Sequence, residues 1–171
     1  MKILIATFMS TFVLIATNAH SEGYKGSPFN IRVNPFSFVS DGISGGVDLG
    51  LTDNVALGLD AGYAYDLSLF SDSNGKAYEG GLRLTYYADS IREDSFVSSV
   101  SLSKSEVVFK NGDRSEAITT DVKAGYRWLW ENTGYNVQLA GGLGQTRFKD
   151  AEQTKSRYIL PVTELSFGYQ I

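Results

Sequence analysis

The side chains able to do chemistry are mostly acids and bases set singly among small and apolar residues, and their types restrict what that chemistry can be. The 171 residues include no cysteine and one histidine, His20. A disulfide framework, a Cys-ligated metal site, a Ser-His triad and a multi-His metal centre all lack their essential groups. The formal net charge of −4 argues against the basic surface that nucleic-acid binding requires. What remains is a set of charges at alternate positions: Arg32, Asp48, Asp60, Asp66, Glu79, Arg83, Asp121, Lys123, Arg127 and Glu164. An acid-only catalytic site needs two carboxylates at one rim, where Asp66 and Glu79 are the nearest pair, and these read more simply as hydrophilic lining. No catalytic residue, cofactor or metal is therefore expected, and the chain is not read as an enzyme. Enclosed charges must be paired or hydrated, so the expected arrangement is an ion-pair network of Arg32, Asp48, Asp60, Glu79, Arg83, Asp121, Lys123, Arg127 and Glu164.

The elements that carry these charges have a period of two. In residues 55–66, Val55, Leu57, Leu59, Ala61, Tyr63 and Tyr65 alternate with Ala56, Gly58, Asp60, Gly62, Ala64 and Asp66. Side chains of a strand point to opposite faces in turn, so this is a strand with one apolar and one small or charged face. The same pattern recurs at 43–51, 78–87, 118–130, 135–146 and from Glu164 to Ile171. Residues 95–110 and 30–39 complete eight strands, the latter weakened by Pro35. Turn chemistry separates them at Asp41-Gly42, Asp53-Asn54, Asn74-Gly75, Asn111-Gly112 and Asn132-Thr133-Gly134. Pro161 is expected to mark the outer end of the last strand.

The N-terminus carries Met1-Lys2, the apolar run Ile3 to Ala16, and small residues at Thr17 and Ala19. This is the pattern of a secretory signal peptide, expected over residues 1–19, followed by a periplasmic segment over 20–29 and the barrel over 30–171. Beyond the leader no apolar run reaches the length of a membrane-spanning helix.

Eight alternating strands suit a soluble lipocalin-like barrel, apolar inside, or a membrane barrel with the faces exchanged. The polar faces hold too many small residues to wet a soluble barrel: nine of the 18 glycines lie there (Gly46, Gly50, Gly58, Gly62, Gly81, Gly125, Gly142, Gly144 and Gly168). Small residues do suit the crowded interior of a narrow barrel. Aromatics gather at strand ends. With both termini periplasmic, Tyr86, Phe96, Trp128, Trp130, Tyr135 and Tyr169 form an inner girdle, and Tyr63, Tyr65 and Tyr78 an outer one. The expected fold is all-β, an eight-stranded antiparallel up-and-down transmembrane β-barrel.

The segments Asn34-Pro35-Phe36, Gly58-Leu59-Asp60-Ala61-Gly62-Tyr63, Ala124-Gly125-Tyr126-Arg127-Trp128 and Gly141-Gly142-Leu143-Gly144 carry a resemblance. Over residues 28–171 the chain resembles the small eight-stranded outer-membrane barrels typified by the OmpA transmembrane domain and OmpX, and uncharacterised bacterial barrel families of this length. The resemblance implies a monomer in the outer membrane of a Gram-negative bacterium, in contact with its lipid. It also implies a C-terminal assembly signal, Leu165, Phe167, Tyr169 and Ile171, presented to the outer-membrane insertion machinery. Family members usually end in Phe, where this chain has Ile171. Enzymes of this size that modify lipid A rely on Ser with His, which the barrel lacks. The expected function is structural or surface-interacting, with a lumen mostly plugged by ion pairs. A narrow, porin-like pore for small solutes or ions and a soluble lipocalin-like periplasmic carrier are the alternatives. A hairpin over 103–117 is a place where an extracellular or surface protein could dock by strand addition.

Overall fold

The computed structural model describes residues 29–35, 42–64, 75–130, 133–149 and 155–171. The expected leader, His20, Tyr65 and Asp66 lie outside them. Eight strands form a closed antiparallel barrel in sequence order. They are β1 (Phe29–Asn34), β2 (Gly42–Gly50), β3 (Val55–Ala64), β4 (Gly75–Tyr87), β5 (Ser95–Phe109), β6 (Arg114–Trp130), β7 (Tyr135–Lys149) and β8 (Lys155–Gln170). Closure comes from β1 pairing with β8, Ile31 opposite Tyr169 and Val33 opposite Phe167.

Strands β4, β6 and β7 each run three or four residues further toward one end than the alternation marked, and two other boundaries turn on proline. Strand β1 stops at Asn34, before Pro35, and residues 36–39 lie outside the described ones. Strand β8 starts at Lys155, so Pro161 sits inside it opposite Leu143 and does not mark its end. The amide of Gln170 points to Gly134 on the β7 side, and that of Ile171 to Phe29 on the β1 side. By alternation the donor missing at Pro161 falls on the β1 side, where described pairing reaches no further than Val33, so no described ladder bond is lost.

The register fixes the barrel's dimensions. Followed from Val33 through Gly45, Ala61, Gly80, Lys104, Ile118 and Arg147, it arrives at Arg157, whereas Val33 itself closes on Phe167. The difference, 167 − 157, is a shear of ten residues. With eight strands and ordinary strand spacings this gives a tilt of about 41° and a radius of about 8 Å. Each residue then climbs about 2.5 Å along the axis, and each step to the next strand about 3 Å.

The faces separate by chemistry. Leu59, Leu82, Val122, Leu139, Leu143 and Ile159 project outward and are half or more exposed. Asp48, Arg83, Arg127 and Glu164 project inward and are buried. On the outward face Phe96, Tyr126 and Trp128 stack in sequence at 5.0 Å, and Tyr135 meets Tyr169 at 5.3 Å, all near the end that holds the C-terminus. Tyr63 and Tyr78 meet at 5.2 Å toward the other end. By the register, the two groups lie about 20 Å apart along the axis. The end holding the C-terminus is called inner below, the opposite one outer.

Short links close the inner end at 51–54 and 88–94. The turn into β7 needs a left-handed residue, supplied by Gly134 at φ +74°, and the β5–β6 turn uses Gly112 at φ +91°. The outer parts of β5 to β8 run beyond those of β1 to β3, so one wall of the barrel stands taller. The hairpin anticipated over 103–117 is thus part of a four-stranded wall.

Candidate functional site

The narrow bore brings side chains from six strands together. Arg32 on β1 donates to Asp48 on β2 through Nε at 2.5 Å and Nη2 at 2.9 Å, and to Asp60 on β3 at 2.8 Å. Arg83 on β4 reaches the same Asp60 at 3.0 Å and Glu164 on β8 at 2.5 Å. Lys123 on β6 sits 2.8 Å from Glu164 and 3.3 Å from Asp121. Asp121 Oδ1 and Glu164 Oε2 accept no directional hydrogen bond, but both face this ammonium. Glu164 is therefore the hub, with Arg83 and Lys123 in close contact and Arg32 at 3.8 Å.

Neutral groups extend the network. Gln138 donates to Glu164 at 3.3 Å, Ser101 to Asp121 at 2.5 Å, Asn30 to Asp48 at 3.0 Å and Asn136 to Asn30 at 2.8 Å. Their inward parity was legible in the alternation, but their role as linkers depends on cross-strand register. Space for the arginines comes from glycine. A Cβ at Gly46 would stand 2.9 Å from Arg32 Nη2, and one at Gly58 2.5 Å from Asp48 Oδ1.

Of the nine charges expected in one network, the structure joins Arg32, Asp48, Asp60, Arg83, Asp121, Lys123 and Glu164. Glu79 stands further out, exposed, on the wall of a cavity of about 140 Å³ that it shares with Ser44, Ser103, Asp60 and Lys123. That space is polar and large enough for several waters.

Arg127 belongs elsewhere, which corrects its assignment. It is 1% exposed, and its Nη2 donates to the carbonyls of Ile91 and, at 3.1 Å, Glu93. Its guanidinium lies 4.4 Å from the centre of the Tyr87 ring. From inside the wall it holds the 88–94 link across the inner mouth. Ile91 packs there on Ala56, Tyr87 and Val97, the buried apolar cluster of the described residues. The link is also tied to the β2–β3 turn. Asn54 donates to the carbonyls of Tyr87 at 2.9 Å and Asp89 at 2.7 Å, and the Ile91 amide to Asp53 at 2.6 Å. Sequence patterning had no means to find Ile91, a lone apolar residue in a polar link. Among the described residues the lumen is thus filled by ion pairs in the middle and closed by the 88–94 link at the inner end, with the polar cavity beside Glu79 toward the outer one.

The other anticipated groups fall on the outside. Tyr63, Tyr78, Tyr86, Phe96, Trp128, Trp130, Tyr135 and Tyr169 occupy the outward face, joined by Tyr126 in the inner group. Phe167 and Tyr169 on β8 and Ile171 just past it are exposed, and Leu165 is half-buried. At the tall wall Lys104 bridges to Glu116 at 2.9 Å and Arg114 to Glu106 at 3.1 Å. No group of His, Asp or Glu able to hold a metal ion occurs among the described residues. No family model, curated protein or solved structure matches the chain.

Proposed function

We propose that the protein is an integral β-barrel of the outer membrane of a Gram-negative bacterium, monomeric, with a non-conducting lumen and a structural or surface-interacting role. The observation that carries this reading is the inversion of the barrel's faces. Leu143 and Ile159 are 63% and 67% exposed on the outside, while Arg83 and Glu164 are 7% and 4% exposed within. In water that distribution loses the apolar burial that drives folding and still bears the cost of dehydrating charges. In lipid it is the favourable one, since closure leaves no backbone group unpaired in hydrocarbon.

The aromatic groups support the same placement, because amphipathic rings collect at the two headgroup levels. A ten-residue strand such as β3, tilted by about 41°, spans about 25 Å, which matches the apolar height of such barrels. A lipocalin-like carrier needs an apolar calyx, whereas this interior is ionic. A pore is disfavoured by the two obstructions in series, the Glu164 network and the Arg127-held link. The tall wall of β5 to β8 is the part that would meet surface partners, and the exposed Phe167, Tyr169 and Ile171 suit recognition by the insertion machinery. The test is envelope fractionation combined with electrophoresis of unboiled and boiled samples. The protein is expected in the outer-membrane fraction with a folded band that shifts on boiling. Recovery as a soluble periplasmic protein would replace this reading with the carrier.

A further inference from the structure

Above the ion pairs the interior changes character. On β8 the inward side chains beyond Glu164 are Val162, Leu160 and Tyr158, set opposite Gly142, Gly144 and Thr146 of β7. Val162 faces the lumen directly, since a Cβ at Gly144 would stand 2.9 Å from its Cγ1 and 3.4 Å from Asp121 Cβ. Phe148 of β7 joins them, its ring 5.9 Å from that of Tyr158. Leu160 and Tyr158 are 49% and 51% exposed. A lipid surround covers the outward apolar side chains but not these, which project into the outer mouth.

Across the bore stands Glu79. Strands β4 and β8 are half a circumference apart in the closed order, so their inward faces look at each other. By the register Glu79 lies about 12 Å above the level of Val33, Leu160 about 14 Å and Tyr158 about 19 Å. Glu79 is exposed and enters no hydrogen bond or ion pair among the described residues. The cavity it lines is bordered by the cations Arg32, Arg83 and Lys123 and by the carboxylates Asp60, Glu79, Asp121 and Glu164. Those cations hold Asp60, Asp121 and Glu164 within 3.3 Å, so Glu79 is the carboxylate left over. A lone carboxylate attracts any cation, and the opposite wall narrows the choice. A hydrated metal ion gains nothing from Leu160, Tyr158 and Phe148, and an apolar solute gains nothing from Glu79. An ammonium group on an apolar arm is matched by both, its charge at Glu79 and its arm along β8. The cavity of about 140 Å³ admits the head, and the rise from Glu79 to Tyr158 suits an arm of two carbons and one ring.

We infer that the outer mouth binds small amphipathic amines, the ammonium end on Glu79 and the apolar arm against Leu160, Tyr158 and Phe148. The site lies inside the barrel, so it goes beyond a structural or surface-interacting role and does not depend on whether the outer face meets lipid.

The experiment titrates the mature protein, folded in phosphatidylcholine vesicles, with 2-phenylethylamine at neutral pH, where the amine is cationic. Isothermal calorimetry is corrected with empty vesicles. Two comparison solutes are 3-phenylpropionate, an anion of similar shape, and methylamine, which lacks the arm. 2-Phenylethylamine is expected to bind at least about tenfold more tightly than either. Glu79→Gln should weaken it by at least about tenfold, and Leu160→Ser/Tyr158→Ser by about tenfold. The heat-shifted folded band checks that each variant has assembled. Equal affinity for the amine and 3-phenylpropionate would overturn the inference, since apolar partition alone would then explain binding. Unchanged affinity in either variant would overturn it too. So would absence of binding to the folded wild type, the mouth then belonging to another occupant. A protein recovered soluble would fail the membrane reading and could still be titrated in buffer, so the two failures are distinct.

Discussion

Replacing Glu164 by Gln tests whether the lumen charges hold the barrel together. The substitution preserves shape and leaves Gln138 and Ser166 close by, so it removes little besides charge. Arg83 loses its carboxylate partner at 2.5 Å and Lys123 its partner at 2.8 Å. Breaking a buried pair from one side costs about 3–5 kcal/mol, because the remaining charge stays dehydrated. Here each cation keeps a second carboxylate. Arg83 retains Asp60 at 3.0 Å, Lys123 retains Asp121 at 3.3 Å, and Arg32 retains both Asp48 and Asp60. The low end applies, about 3 kcal/mol. With a urea m-value of about 2 kcal/mol/M, the unfolding midpoint should drop by about 1.5 M. Unfolding in lipid vesicles is followed by the fluorescence of Trp128 and Trp130 and by loss of the folded gel band. Adding Lys123→Met to Glu164→Gln should not recover the loss, since the buried Asp121 then loses its ammonium partner. A midpoint for Glu164→Gln within 0.2 M of wild type at unchanged slope would refute the reasoning and mean that water, not protein charge, solvates these groups.

Arg127→Met should destabilise by about 2–3 kcal/mol through loss of charged hydrogen bonds to the 88–94 link. It should also speed proteolysis of that link in vesicles exposing the inner face, while the 51–54 turn stays resistant. Gly142→Ala places a Cβ against the Val122 carbonyl, whereas a Cβ at Gly80 meets nothing within 4 Å. Gly142→Ala is therefore expected to cost at least about 1–3 kcal/mol or block assembly, and Gly80→Ala to be neutral or slightly stabilising, both read from the folded gel band. Trypsin added to intact cells should cut after Lys110, beside the β5–β6 turn at the top of the tall wall. Complete protection there would place that turn inside the cell envelope.

Parity makes most of the barrel legible in the sequence. The alternation through Val55 to Ala64 and through Ile118 to Trp130 assigns each side chain to a face, and the structure has those faces. It could not show how far β8 runs, because Pro161 reads as a stop unless the side that lacks its donor is known. It gave a list of lumen charges but not their grouping, which depends on a shear of ten residues that accumulates around eight strands. Shear places Arg127 at the level of Tyr87 and Ile91, well below Glu164, so two side chains of the same parity have different duties. Arg147 and Arg157 are ten residues apart in sequence, and that they face one another is visible only once the register is known.

The central claim is that the apolar outward face meets lipid. Because the chain has no cysteine, single-cysteine variants can each carry one nitroxide without background labelling. Labels at Leu59, Val100 and Leu139, near mid-height, and at Lys76 and Glu106, at the outer end, are compared in vesicles for collision with oxygen and with a water-soluble nickel chelate. The predicted result is high oxygen and minimal nickel contact at the three central positions, with nickel contact rising at the two outer ones. Nickel reaching Leu59, Val100 and Leu139 as freely as Lys76 would contradict a lipid-facing exterior.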